Sequence, residues 1–257
     1  MNARGQWVAF VTILVKEIRR FTRIWPQTLL PPAITMTLYF VIFGNLIGSR
    51  IGDMDGFDYM QYIVPGLIMM SVIQNSYGNV VSSFFGTKFQ HSIEEMLVSP
   101  MSNIVILLGF VAGGVARGIL VGLIVTLLSL FFTDLAVHSI GITIVVVILT
   151  AVLFSLGGFV NAMFANKFDD IAIVPTFILT PLTYLGGVFY SIQLLPEFWR
   201  GVSLFNPIVY MVNTFRYGVL GITDVDVTSS LLAIVAFTVA MFLYCLWLLE
   251  RGTGIRS

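Results

Sequence analysis

The chain has 257 residues, 58% hydrophobic and only 10% charged, with a mean hydropathy of +0.97 and no net charge. Soluble domains are roughly one-quarter charged, so a chain this apolar cannot cover itself with polar surface, and the composition specifies a polytopic membrane protein. The charge balance argues against a nucleic-acid partner. The long unbroken apolar runs exclude a strand-built barrel, whose segments alternate over ~10 residues.

Residues 7–25 read as an amphipathic helix lying in the cytoplasmic interface. Lys16, Arg19, Arg20 and Arg23 recur at three- and four-residue spacings, and Phe10, Leu14, Ile18, Phe21 and Trp25 fall on the opposite face. Basic groups so placed meet anionic headgroups, and the helix is either a simple anchor or a docking element for a partner. The apolar stretch Trp7–Val15 runs straight into Lys16-Glu17-Ile18-Arg19-Arg20 without a small-residue cleavage site, unlike a signal peptide. Pro26 and Pro31-Pro32 then turn the chain into the first span.

Six charge-poor runs are long enough to cross a bilayer: 27–47, 61–84, 104–132, 140–163, 171–190 and 229–249. In the second, Ser71, Asn75, Asn79 and Ser82 lie along one face, which predicts interhelical hydrogen bonding or the wall of a permeation pathway. The third is the longest, so tilt or an extension beyond the bilayer is expected. It holds Gly109, Gly113, Gly114, Gly118 and Gly122 at close-packing spacing, for contact within the chain or with a second copy. Arg117 is the one charge inside a span, which implies an internal or water-lined position. On the fifth, Thr176, Thr180 and Thr183 form a milder polar stripe, Pro175 and Pro181 can bend the helix, and Asp169-Asp170 read as its N-cap. Between the fifth and sixth, 191–217 is too broken to span and too apolar for a plain loop, and reads as a re-entrant or interfacial helix pair.

Lysine and arginine set the orientation. With the N-terminus in the cytoplasm, that side holds Arg4, Lys16, Arg19, Arg20, Arg23, Lys88, Lys167, Arg251 and Arg256, against Arg50, Arg200 and Arg216 outside. Six spans return the C-terminus to the cytoplasm. His91 and His138, the only histidines, fall on opposite sides, and with the single Cys245 they build no metal site. Cys245 reads as a packed thiol. No catalytic serine or zinc motif is present, and none of Lys16, Lys88 and Lys167 follows a glycine, so a phosphate-binding loop is absent and the chain cannot hydrolyse ATP alone.

Segment 86–103 is the cytoplasmic connection with helix-forming substance. Phe89, Ile93 and Met96/Leu97 share a face, Lys88, His91, Glu94 and Glu95 lie elsewhere, and Pro100 ends the helix. Exposed acids suit a complementary soluble partner, although a solvated turn would look the same. The run "SIEEMLVSPMSNIVILLG" resembles the coupling helix of type-2 ATP-binding-cassette (ABC) transporter permeases. Pro181–Gly221 resembles that family's second signature through Gly186-Gly187-Val188-Phe189, Leu195-Pro196, Asn206-Pro207 and Arg216. Two motifs in order, six spans and the leading helix cover nearly the whole chain, most like bacterial polysaccharide, Nod-factor and drug exporters. Ser191 stands where relatives often have proline, and Phe110 where many have lysine.

The resemblance implies a bacterial inner-membrane exporter subunit, paired with a second copy and with two copies of a separate ATPase that holds ATP and Mg. No cofactor is expected on this chain. Phe89, Ile93, Glu94, Glu95, Leu97 and Pro100 would engage the ATPase, with Arg19 and Arg20 contributing. Ser71, Asn75, Asn79, Arg117, Thr176 and Thr180 would line the pathway. Leu195, Phe198, Trp199, Asn206, Tyr210 and Arg216 would gate or anchor its outer end. A carrier driven by an ion gradient would want intramembrane acids, and the six spans contain none. A membrane enzyme would want a catalytic set, and none is visible.

Overall fold

A computed structural model describes residues 1–254; Arg256, counted above among the cytoplasmic charges, lies outside them. The described chain is all-α, 79% helical, with one two-residue hairpin pair, Asp53–Met54 against Phe57–Asp58. Helix α1 is Ala3–Arg23, started by Asn2, whose Oδ1 accepts from the Gly5 N–H. It therefore begins four residues before the predicted 7–25 and ends two earlier. Ile24 breaks it, and α2, Trp25–Gly48, follows. Its first turns are α-helical and Phe40–Gly48 is π-helical.

Helix α3 is Tyr59–Phe89, about 46 Å long at 1.5 Å per residue. It is the axis of the bundle, with 24 of its residues buried among α5, Asn103–Ser129, α6, Ile140–Phe164, and α9, Pro207–Leu220. Between α3 and α5, α4 spans only Ser92–Val98. Helix α7 is Asp170–Tyr184, with a π-helical turn at Pro175–Leu179. There the two prolines remove backbone donors, and the Thr180 hydroxyl bonds back to the Pro175 carbonyl at 2.8 Å. Helix α8 is Glu197–Leu204 and α10 is Val227–Arg251, started by Asp226, whose carboxylate accepts from the Ser229 N–H.

Among the described residues, four helices are long and apolar enough to cross a bilayer: α2, α5, α6 and α10. The third predicted run, 104–132, is helical over Asn103–Ser129, about 40 Å at 1.5 Å per residue, which exceeds a ~30 Å hydrocarbon core. The predicted N-cap at Asp169-Asp170 differs. Asp170 Oδ2 reaches backward and accepts from the Asn166 and Lys167 N–H groups at 2.8 and 2.9 Å, which holds that carboxyl below its ordinary range. Asp169, at the cap position, makes no capping bond.

The glycines of α5 show how these helices come so close. A Cβ on Gly109 or Gly113 would run into Ile13 or Glu17 of α1. On Gly114 it would meet Ser155 of α6 and Val80 of α3, on Gly118 it would meet Ser76 of α3, and on Gly122 it would meet Val72. The stripe is filled on both sides from within the chain, so the seam is intramolecular. Lys88 ties the far end together by donating to the Met163 and Ala165 carbonyls at 2.8 and 2.6 Å, a cation on the C-terminus of α6. Cys245 is buried in α10.

Candidate functional site: the groove along α3 and its two ends

The side of α3 turned toward α1 and α5 carries the polar residues Ser71, Asn75 and Asn79, and all three are buried. Glu17 of α1, with no exposure, meets them there. The Ser83 hydroxyl donates to its Oε1 at 2.5 Å and Arg20 Nη2 lies 3.4 Å from its Oε2. Arg20 Nη2 also donates to the Asn79 backbone carbonyl and Oδ1 at 2.9 and 2.8 Å. One turn along α3, Arg117 Nη2 donates to Asn75 Oδ1 at 3.2 Å and to the Thr28 carbonyl at 3.3 Å. Ser71, Asn75 and Asn79 are buried, and the amides of Asn75 and Asn79 bond within the protein to Arg117 and Arg20. One expectation is corrected here. Arg20 turns inward to a carboxylate and an amide instead of outward to headgroups, while Arg19 stays exposed. The signal in the sequence was Ile13-Glu17-Phe21, the four-spaced set that α1 buries.

The open side of α3 is Gln74, Gly78 and Ser82, three positions four apart. Gln74, Gly78, Tyr77 and Val81 face Pro175, Thr176, Leu179 and Thr180 of α7 across a recess of about 260 Å3. Thr176 and Thr180, named from the sequence, do line it. The α3 side of the wall is displaced by one residue from the sequence expectation, because period 3.6 places Gln74, Gly78 and Ser82 beside the amide stripe.

At one end of this groove, Phe189 of the Gly-Gly-Val-Phe turn packs on Phe43 and Tyr39 of α2 and on Tyr184 of α7, with ring centroids 4.9, 6.1 and 5.7 Å apart. Arg216 holds this turn from behind. It is 1% exposed, with its guanidinium 4.1 Å over the Tyr62 ring, and it donates to the Gly187 and Tyr62 carbonyls at 2.7 and 3.3 Å. Gly187 has φ +73, a conformation few side chains tolerate. Ser191, at the family's usual proline position, donates to Asp224 Oδ1 at 2.6 Å, and Asp224 Oδ2 accepts from the Ile192 N–H.

Asn206 starts α9 by accepting from the Ile208 N–H, and its amide donates to the Leu182 carbonyl at 2.6 Å. Tyr210 donates to the Leu204 carbonyl at 2.7 Å. Segment 191–217 is thus two unlike helices. Helix α8 is largely exposed and α9 is buried in the bundle. Phe198, 72% exposed, and Trp199 pack on one another on the surface, and Leu195 is partly buried. Arg216 is a core residue and not an outer-surface charge.

At the other end, α3 runs to Phe89 and His91 takes φ +59, which breaks the helix before α4. The single face predicted through Phe89, Ile93 and Leu97 is therefore split. Phe89, exposed, belongs to α3 and packs at a tilt against Phe168, with ring centroids 4.9 Å apart. Ile93 is buried, which corrects its assignment as a partner contact. Glu94 and Glu95 are exposed, Leu97 is half-buried, and the helix stops at Val98, two residues before the exposed Pro100. Gln6 of α1 clasps the segment after α4, donating to the Pro100 carbonyl at 3.2 Å and accepting from the Ser102 N–H at 3.1 Å.

The family model described as ABC-2 type transporter matches residues 8–220. The chain is 63% identical over 251 residues to the inner membrane transport permease YadH of Escherichia coli strain K12, covering 98% of each. It is 21% identical over 246 residues to nodulation protein J of Neorhizobium galegae, covering 95% of this chain and 93% of the other. A match to nodulation protein J of Sinorhizobium fredii is 22% identical over 216 residues, covering 84% and 82%. With several apolar helices long enough to cross a bilayer and matches along almost all of its length, this chain belongs to the ABC-2 type transporter family, as a multi-pass membrane transport permease.

Proposed function

We propose that the protein is the membrane subunit of an ATP-driven exporter in the bacterial inner membrane, assembled from two copies of this chain and two copies of a separate ABC ATPase that binds ATP and Mg. Its α4 is the coupling element. One observation carries this reading. Ile93 roots α4 in the core while Glu94 and Glu95 face outward, and α4 joins α3, which lines the groove, to α5. A force on the two acids therefore moves the groove wall. Coupling needs such a stiff link together with a surface that binds one ATPase state better than another.

Six crossings complete this picture. Helix α3 is about 46 Å long and exceeds a ~30 Å hydrocarbon core, although its amides lower its hydropathy. Helix α7 continues through the Gly186–Phe189 turn into a re-entrant pair made by α8 and α9. Both termini are cytoplasmic. The groove lined by Gln74, Gly78, Thr176 and Thr180 is one half of the pathway, and the Tyr39–Phe43–Tyr184–Phe189 cluster closes its outer end. A carrier using an ion gradient is disfavoured because Glu17, the one buried carboxylate among the described residues, is already bonded to Arg20 and Ser83. Cysteine cross-linking from Glu95→Cys to a co-expressed ATPase tests the reading. Nucleotide-dependent cross-links support it, and their absence from an assembled complex contradicts it.

A further inference from the structure

Arg117 lies near the middle of α5, about 20 Å from either helix end at 1.5 Å per residue. Its Nη2 is held by Asn75 Oδ1 and the Thr28 carbonyl, both uncharged. Its Nε is buried without a partner, and among the described residues Nη1 makes no hydrogen bond and no carboxylate lies within ion-pair distance. Glu17 does not serve, because it is engaged by Arg20. One positive charge is left over inside a membrane bundle, where an uncompensated guanidinium is expensive. Arg216 also keeps a buried Nη1 without a partner, but it is 1% exposed, lies 4.1 Å over the Tyr62 ring and is bonded to two carbonyls, so no ligand can reach it. Arg117 is only partly buried, and its partner Asn75 borders the open stripe of Gln74, Gly78 and Ser82. Arg20, bonded to Asn79 one turn nearer α4, also reaches Ser82 at 3.5 Å.

We propose that Arg117 binds the anionic headgroup, a phosphate, sulfate or carboxylate, of an amphipathic molecule lying in the groove along α3. Arg20 makes the first contact nearer the cytoplasm. The free fork of a guanidinium suits such oxyanions, and a low-dielectric setting strengthens the pairing. That the bound molecule is cargo rests on the permease reading; the binding itself does not.

The test uses the purified full-length chain, without ATPase or nucleotide, so its failure is separable from failure of the transport reading. Retention of phosphatidylglycerol against phosphatidylcholine is read by native mass spectrometry, and binding of dodecyl phosphate against dodecylphosphocholine by titration. Wild type should prefer an anion by about tenfold or more. Arg117→Gln should lose that preference and Arg117→Lys should keep it. Asn75→Asp is the decisive variant. It places a carboxylate 3.2 Å from Nη2, supplies the missing counter-ion internally, and should abolish anion preference without lowering the melting temperature. Preference for the phospholipid alone identifies a lipid ligand, and preference for dodecyl phosphate identifies a mobile amphiphile; either supports the site. Undiminished preference in a folded Asn75→Asp protein, or no preference in wild type, overturns it.

Discussion

The Ser83 hydroxyl of α3 donates to Glu17 of α1 across 2.5 Å, and the carboxylate has no exposed surface. This contact makes α1 part of the bundle and not a detachable interfacial anchor. Removing one member of a buried ion pair costs more than the pair contributes, about 3–5 kcal/mol when both partners are enclosed. Arg20 is 29% exposed, so solvent recovers part of this cost, and Glu17→Gln should destabilise the protein by about 2 kcal/mol. Denaturant titration in mixed micelles reads the loss, and an unchanged midpoint contradicts the assignment.

Gly118 and Gly78 separate packing from pathway. A Cβ at Gly118 would collide with Ser76, whereas one at Gly78 meets nothing within 4 Å. Gly118→Leu should cost at least about 1–3 kcal/mol through overpacking. Gly78→Leu should leave stability within about 0.5 kcal/mol of wild type and cut transport by narrowing the recess. Paired melting and flux measurements check both; equal loss of stability would remove the distinction.

Glu94→Lys with Glu95→Lys changes exposed charge on α4 and removes the exposed 3.0 Å contact between His91 Nδ1 and Glu94 Oε1. The double variant should insert and melt like wild type, yet fail to couple ATP hydrolysis to transport. Ile93→Asp should instead destabilise, because it buries an unpaired carboxylate. Co-purification of the ATPase at wild-type yield with full transport in the double variant contradicts the coupling role.

Arg216→Leu strips the Gly187 and Tyr62 carbonyls of their donor in a buried place. Each bare group costs about 1–3 kcal/mol. The Gly186–Phe189 turn should lose hydrogen-exchange protection, and a cysteine at Phe189 should label faster from outside. Phe189→Ala should increase labelling in the groove without the stability loss. Wild-type protection in Arg216→Leu would show that the turn holds itself.

Long helices were legible because apolar runs of span length leave few other structures in lipid. The glycines of α5 announced close approach, but not that α1 and α3 would fill both sides. Glu17 was hidden because an acid among basic residues looks solvated; only the burial of Ile13 and Phe21 one turn to each side gives it away. The amides of α3 showed that polar partners were needed without saying whether those would be protein or water. Arg20 and Arg117 answered for Asn79 and Asn75, which left Gln74 to the groove. Around α4 the helical phase was carried through His91, whose left-handed backbone ends the phase and separates Phe89 from Ile93. The aromatic closure at Phe189 joins residues from α2, α7 and the turn after it, a juxtaposition that no local pattern encodes.

Reconstitution into liposomes tests dependence on a separate ATPase most directly. The chain alone, given ATP and Mg, should move no amphiphile, and adding the ATPase should start ATP-dependent movement that Glu94→Lys with Glu95→Lys abolishes. Transport by the chain without the ATPase would contradict it.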